Sequence, residues 1–282
     1  MPESPEVEAL VEWLDGRLAG ARVEAVDVVE FRAVKTRARP LPSIVGERIS
    51  AFARAGKYID IELDSAHVVV SLGRHGWVRW SEGGPAAPGE PSVDGAATGA
   101  PALVTFTVDG GLLAFTDAGS WVSLGLWVVD RADEVPGVAK LGPDPLGASF
   151  SPADVAGAVS GRRKQLKAIL QEQESFAGIG NAYSDEILHR ARLSPVVHGD
   201  ALTPDELSRL ATAMRTVLTG AARDRRGIPI ERLKQAKADA MVVHGRTGAE
   251  CPVCGGRVED FAFGGTTAQY CPVCQTGGVP LA

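Results

Sequence analysis

The sequence predicts an α+β chain in which an antiparallel β unit precedes a helical one. Three observations carry this. Between residues 23 and 129, short apolar runs alternate with period two and are separated by turn residues. From Ser151 onward the apolar period lengthens to that of helices. All four cysteines then fall after residue 250.

The first element is a helix. Ser4-Pro5-Glu6 reads as its start, with Ser4 as N-cap and Pro5 at the first helical position. Val7, Leu10, Val11, Leu14 and Leu18 then share one face. Ahead of the helix stand Pro2 and Glu3. Removing Met1 would leave Pro2 with a free secondary amine, which attacks an aldehyde carbon and yields an iminium ion. An α-amine titrates near about 8, so part of it is neutral at physiological pH. The positive end of a helix favours that neutral form further. Glu3 is placed to move protons beside it. The bland alternative is a chance Met-Pro start.

Strands follow. Tyr58–Leu63 alternates strictly, and His67–Leu72 is a short β-rich run. Val23–Val28, Trp77–Trp80, Leu103–Val108, Leu112–Phe115 and Leu126–Val129 are further candidates, and Asp109-Gly110-Gly111 is a hairpin signal. This pattern specifies an antiparallel sandwich or barrel. Residues 83–101, rich in Gly, Pro and Ala, read as a long loop. Residues 135–150, with Leu141-Gly142-Pro143-Asp144-Pro145-Leu146, read as a linker. Ser151-Pro152 opens a helix, and Thr203-Pro204-Asp205-Glu206 opens another with a capping box. Leu207, Leu210, Met214 and Leu218 give that second helix its apolar face. Between them, Gly178-Ile179-Gly180-Asn181 joins two helical stretches. The glycines let the backbone approach something closely. Amides plus an asparagine at a helix N-terminus make a phosphate site, or else an ordinary helical corner.

Cys251-Pro-Val-Cys254 and Cys271-Pro-Val-Cys274 are two Cys-x-x-Cys pairs at the spacing of a tetrahedral Zn²⁺ site. Gly255-Gly256 and Gly264-Gly265 suit a β-hairpin between them. Four thiolates leave no open position, so the expected role is structural. The alternative, two disulfides or a redox pair, is disfavoured by strain in adjacent Cys-x-x-Cys disulfides and by a reducing cell interior.

Composition narrows the class. The chain has 282 residues, 45% of them apolar, and a net charge of −6. No apolar run approaches the ~20 residues of a membrane span. The first residues carry acids and no signal core. A cytoplasmic, non-secreted protein is expected. Residues 151–282 hold 16 Lys and Arg against 14 Asp and Glu, so the excess acid lies in the first half. A polyanion partner would have to use local basic surface. Arg223, Arg225, Arg226, Arg232, Lys234 and Lys237 supply one such stretch, which tracks phosphates or merely solvates a helix face.

In order along the chain, Pro2–Glu8, the lysine of Gly56-Lys57-Tyr58, Leu141–Leu146, the Gly178–Asn181 turn and the terminal cysteines resemble the formamidopyrimidine-DNA glycosylase / endonuclease VIII family over essentially the whole sequence. The resemblance implies an N-terminal β-sandwich with flanking helices (residues 1–134), a linker (135–150), a helix–two-turns–helix domain (151–244) and a zinc finger (245–282). It implies a base-excision-repair glycosylase with AP lyase activity, acting as a monomer on double-stranded DNA that holds a damaged base or abasic site, with no membrane partner and in association with the nucleoid. Pro2 would attack C1′ of a flipped nucleotide, Glu3 would shuttle protons and Lys57 would contact phosphate and assist. Gly178 and Asn181 would hold phosphate. Cys251, Cys254, Cys271 and Cys274 would bind one Zn²⁺.

The departures are specific. Five residues before the third cysteine the family usually carries an arginine, where this chain has Thr266. Losing such a charged contact costs on the order of 2–5 kcal/mol. The gap-filling methionine, arginine and phenylalanine of the formamidopyrimidine branch become Arg74, Gly119 and Trp121. Trp121 is either a wedge between bases or a core aromatic. Arg225-Arg226-Gly227-Ile228-Pro229 leaves little room for the oxidised-purine recognition loop. A non-catalytic damaged-DNA binder of the same fold is the competing expectation. A zinc-ribbon partner in transcription or translation would explain the cysteines alone.

Overall fold

The computed structural model describes residues 1–83 and 100–281, so most of the loop expected at 83–101 lies outside the described residues. The chain divides into two compact units. The first comprises Met1–Pro2, Val7–Ala139 and Gly227–Glu231. The second comprises Glu3–Glu6, Lys140–Arg226 and Arg232–Ala282. Four residues next to the N-terminus therefore belong to the C-terminal unit.

Helix α1 (Ser4–Leu18) buries Val7, Leu10, Val11, Leu14 and Leu18, the apolar stripe read from the sequence. Its start differs from expectation. The helix begins at Ser4, and the Glu3 N–H donates to the Glu6 carboxylate at 3.2 Å. The Glu3 carbonyl also accepts from the Glu6 N–H at 3.1 Å. The Ser4 hydroxyl is buried without a hydrogen-bond partner. Glu3, not Ser4, thus stands at the head of the helix.

Eight strands of the first unit form two four-stranded antiparallel sheets. One runs β1 (Val23–Val28), β6 (Ala102–Val108), β7 (Gly111–Asp117), β5 (Gly76–Glu82). The other runs β2 (Ile49–Ala55), β3 (Tyr58–Leu63), β4 (His67–Ser71), β8 (Gly125–Val129). The inward residues Val68, Val70, Val78, Val104, Phe106, Leu113, Phe115 and Leu126 are all but inaccessible to solvent. Asp109-Gly110 joins β6 to β7, with Val108 opposite Gly111 and Gly110 at φ +84. Strand β2 escapes sequence reading because a bulge between Ile49 and Ala51 breaks its period, leaving the buried Ile49 and Phe52 three apart.

The second unit contains α3 (Pro152–Val159), α4 (Leu166–Gln171), α5 (Asn181–Ala191), α6 (Pro204–Arg225) and α7 (Leu233–Ala240), after the one-turn α2 (Pro136–Ala139) that closes the first unit. Both expected N-caps are present. The Ser151 N–H and hydroxyl donate to Asp154 at 2.8 Å each. The Thr203 N–H donates to Glu206 at 2.9 Å, and the Glu206 N–H returns a bond at 3.3 Å. Leu166, Ile169, Leu170, Phe176, Ile187, Leu210, Met214 and Leu218 make a single core. The expected hairpin is β9 (Glu259–Phe263) with β10 (Thr266–Tyr270), turned by Gly264-Gly265 at φ +53 and +78. The short α8 (Pro272–Gln275) follows.

Residues 140–146 are an ordered strap on the second unit. The Gly142 N–H donates to Gln173 O at 2.9 Å, and the Ala177 N–H donates to Pro143 O at 3.0 Å. A Cβ on Gly142 would lie 2.2 Å from the Glu174 carbonyl oxygen. Gly142→Ala is therefore expected to cost about 1–3 kcal/mol through forced displacement. Urea unfolding should read this as a lower midpoint.

Candidate active site and zinc centre

The Gly178–Asn181 turn does receive a close neighbour, and it is the start of the chain. The Ser4 N–H donates to Gly178 O at 3.0 Å. A Cβ on Gly178 would lie 2.5 Å from the Ser4 Cβ, and one on Gly180 would lie 2.7 Å from the Glu3 Cδ. Gly178 is also at φ +87. Only glycine at both positions admits Glu3.

The Glu3 carboxylate then caps α5. It accepts from the Gly180 N–H, from the Ala182 N–H at 3.1 Å and from the Tyr183 N–H at 3.4 Å. Lys237 Nζ donates to Glu3 Oε1 at 2.9 Å. Glu3 is 2% exposed. An anion here is stabilised by the helix N-terminus and by a cation at hydrogen-bond distance. The sequence reading placed a phosphate on these amides. That is corrected, because a carboxylate of the same chain occupies them. The Gly178 N–H likewise donates to Gln173 Oε1 at 3.0 Å.

Glu6 lies beside Glu3. It accepts from the Tyr183 hydroxyl at 2.7 Å and from Lys237 at 3.2 Å, and Arg225 Nε lies 3.7 Å away. Burial first, and the Glu6 charge second, push the Tyr183 phenol far up, so it stays a donor. Burial works to lower the Lys237 pKa, but Glu3 and Glu6 outweigh it and hold the ammonium above its ordinary value. Two carboxylates thus meet two cations in one buried cluster. This also corrects the basic stretch. Arg225 is 3% exposed, and Lys237 turns to the two acids. Neither is free to track a DNA backbone.

Asn181 is half-buried. Its Nδ2 donates to Thr267 O at 3.1 Å, and its Oδ1 accepts from Gln171 at 3.2 Å. Beneath it Lys167, fully buried, bonds Asp185 at 2.6 Å and Ser184 at 2.8 Å. Desolvation lowers its pKa, and Asp185 opposes that. Asp185 in turn holds His244 Nδ1 at 2.8 Å. Thr266 is exposed, and its hydroxyl is spent on Phe263 O at 2.9 Å.

In the first unit Pro2 is buried, and Lys57 lies on the tight Gly56-Lys57 turn between β2 and β3, as expected. Arg74 is exposed. Trp121 is 58% exposed and packs edge-on to His75 at 6.4 Å, so it is not part of the sandwich core. Asp117 organises this surface. It accepts from the Gly119 N–H (2.9 Å), the Ser123 N–H (2.7 Å), the Ser123 hydroxyl (2.9 Å) and the Leu124 N–H (2.9 Å). Burial raises its pKa, but these donors prevail and keep the carboxyl below its ordinary value. The Arg74 N–H donates to Ser123 Oγ at 3.1 Å, which ties the two turns together. A Cβ on Gly119 would lie 2.9 Å from His75 Cδ2. No side chain fits there without a shift. The segment 227–231 is short and anchored, with Trp77 Nε1 donating to Ile230 O at 3.0 Å.

The Sγ atoms of Cys251, Cys254, Cys271 and Cys274 all lie within 4.8 Å of one another. A tetrahedron with Zn–S bonds of about 2.3 Å has edges of about 3.8 Å. The 251–274 and 254–271 edges are 3.9 and 3.4 Å, so the cluster fits one Zn²⁺. His189 Nε2 lies 3.3 Å from Cys251 Sγ. Burial, then Arg192, lower the His189 pKa, which favours a neutral ring donating to the thiolate. Gln275 ties the finger to the turn after α5, donating to Leu193 O at 2.9 Å.

The chain thus combines an antiparallel sandwich, a helical unit closed on the residues after the N-terminus and a four-cysteine hairpin fit for one Zn²⁺. Three family descriptions match in sequence order: the formamidopyrimidine-DNA glycosylase N-terminal domain over residues 1–120, its H2TH domain over 141–231, and the zinc finger found in FPG and IleRS over 248–277. The chain belongs to the formamidopyrimidine-DNA glycosylase family. It is 36% identical to the formamidopyrimidine-DNA glycosylase of Heliobacterium modesticaldum over 98% of this chain and 100% of that one. It is 45% identical to an uncharacterized formamidopyrimidine-DNA glycosylase-like protein of Mycobacterium tuberculosis, over 50% of this chain and 89% of that one. The fold matches Lactococcus lactis Fpg in a complex with abasic-site DNA at TM-score 0.84 and 24% identity, covering 97% and 99% of the two chains. Among the described residues no helix is long and apolar enough to cross a membrane.

Sequence reasoning missed the Glu6–Tyr183–Arg225–Lys237 shell, the Asp117 node and His189, because no local spacing announces them. Two outcomes are expected. Cys254→Ser should abolish stoichiometric zinc, measured by metal analysis, and loosen the finger. Gly180→Ala should displace Glu3 and cost about 1–3 kcal/mol, seen as a lower melting temperature.

Proposed function

We propose that the protein is a bifunctional DNA glycosylase and AP lyase of base excision repair that works through Pro2. The observation that carries this is the Glu3 carboxylate, fixed at the N-terminus of α5 and covalently next to Pro2. After Met1 is removed, the Pro2 amine would attack C1′ of a damaged or abasic nucleotide. The base would leave, or the hemiacetal open, and an iminium would form. Glu3 would take the proton from the amine and deliver it to O4′ as the C1′–O4′ bond breaks. Loss of a C2′ proton from the iminium then permits elimination of the 3′ phosphate. Lys57 would contact phosphate and assist. Asn181 would hold a neighbouring phosphate, and Arg74 and Trp121 would occupy the gap left by the flipped nucleotide. We place the catalytic part at 1–134, the linker at 135–150, the helix–two-turns–helix domain at 151–244 and the finger at 245–282, acting on nucleoid DNA as a monomer.

A second reading, lesion-dependent binding with little or no scission, is favoured by Thr266, which supplies no charge where the family usually has arginine. Borohydride trapping on abasic, oxidised-purine and oxidised-pyrimidine duplexes separates the two. The catalytic reading expects a covalent complex with abasic DNA that is lost when the N-terminal amine is blocked. Binding without any trapped species would leave only the second reading.

Gly119 bears on specificity. Without a hydrogen-bonding side chain at that position, the base opposite the lesion meets the stacking Trp121 face and Arg74. Across the four opposite bases, cleavage rates are expected to vary by less than about tenfold, since stacking is sequence-tolerant. Single-turnover rates check this.

A further inference from the structure

We propose that Lys237 is a positioning residue that holds Glu3 ionised and in one orientation, so that Glu3 enters the reaction as the base that deprotonates Pro2. This rests on the catalytic reading above and goes beyond it. Lys237 lies on α7, far in sequence from the N-terminus, and nothing in its local sequence marks it as part of an active site. Its ammonium bonds Glu3 Oε1 at 2.9 Å and Glu6 Oε2 at 3.2 Å, and lies 4.8 Å from the centre of the Tyr183 ring. Its side chain is 13% exposed. A buried carboxylate held by a cation and helix amides resists protonation. The same bonds leave Glu3 Oε1 and Oε2 both committed, which fixes the carboxylate plane.

Among the described residues, these charged and titratable groups face the contact. Glu3 and Glu6 come from the start of α1, Tyr183 from α5, Arg225 from α6, and Lys167 from α4 acts on Glu3 through space. Arg225 faces Glu6, and Lys237 bonds Glu3 itself. The Pro2 N–H proton passes to the Glu3 carboxylate. The amine lone pair forms the N–C1′ bond as the C1′–base bond breaks and its electron pair leaves with the base, which takes a proton from solvent. At an abasic site the C1′ hydroxyl leaves instead, as water with a solvent proton. The lone pair that deprotonation frees on nitrogen then forms the iminium. The C1′–O4′ electron pair goes to O4′, which takes the proton back from Glu3. Lys237 keeps its own proton throughout.

The test compares wild type with Lys237→Met, Lys237→Gln and Lys237→Arg. Three readouts are taken: affinity for a tetrahydrofuran abasic-site duplex, borohydride trapping rate against pH, and a carboxyl-carbon NMR titration of Glu3. Removing the cation lets the carboxylate bind a proton more readily, so the Glu3 titration and its limb of the pH–rate profile should move to higher pH. Trapping should slow about tenfold or more, with affinity for the duplex within about threefold. Lys237→Arg should restore the limb. Folded Met or Gln variants with an unmoved Glu3 titration overturn the proposal, even if their melting temperatures fall. If wild type traps nothing, the catalytic reading fails on that measurement. The NMR titration still decides whether Lys237 sets the state of Glu3.

Discussion

A carboxylate seated on the first turn of a helix ties the two ends of this sequence together. Glu3 accepts from the Gly180, Ala182 and Tyr183 amides and from Lys237. Four donors that would otherwise be orphaned or exposed are satisfied by one side chain. Glu3–Glu6 are thereby fastened to the helical unit, while the rest of α1 packs in the sandwich unit. Gly178 and Gly180, the helix start at Asn181, the early start of α1 and the unpartnered Ser4 hydroxyl all follow from that seat. Pro2 is covalently joined to it by one peptide bond.

Such a seat is expensive in isolation. Taking a carboxylate out of water costs several kcal/mol unless its partners are well placed. The structure compensates with a cluster balanced in charge: Glu3 and Glu6 against Lys237 and Arg225, with the Tyr183 hydroxyl as a further donor. Apolar residues would stabilise the same volume at lower cost. Retention of ionised groups makes physical sense where one of them must accept and return a proton. The balance also explains why basic residues of this region face inward. Their charge faces the two acids.

The sandwich unit repeats the device on a smaller scale. Asp117, nearly buried and bonded only to N–H and O–H donors, organises the turn that leaves Trp121 in solvent. An asparagine there would turn its amide toward donors. Gly119 has no space for a side chain, so the surface offers an indole and the Arg74 turn. A preformed aromatic surface pays little ordering entropy on contact. The zinc finger, in contrast, gains its order from the metal, with His189 linking it to α5 and Gln275 to the turn that follows.

Much was legible in the sequence alone. Period-two runs and the Asp109-Gly110 turn determined the sandwich strands. Proline-led caps determined the helices at Ser151 and Thr203, and cysteine spacing determined the metal site. These are local signals, because strand alternation, capping and knuckle geometry each involve residues a few positions apart. Strand β2 was lost because a bulge breaks local period. The occupant of the Gly178–Asn181 turn was beyond reach for a different reason. A helix N-terminus attracts any anion, so the sequence determined that one would bind but not which. Tertiary structure decided in favour of Glu3, turned Lys237 and Arg225 inward, and left Trp121 outside. Those outcomes depend on contacts between residues up to 234 positions apart. Their energy comes from mutual desolvation and pairing, which no stretch of sequence contains by itself.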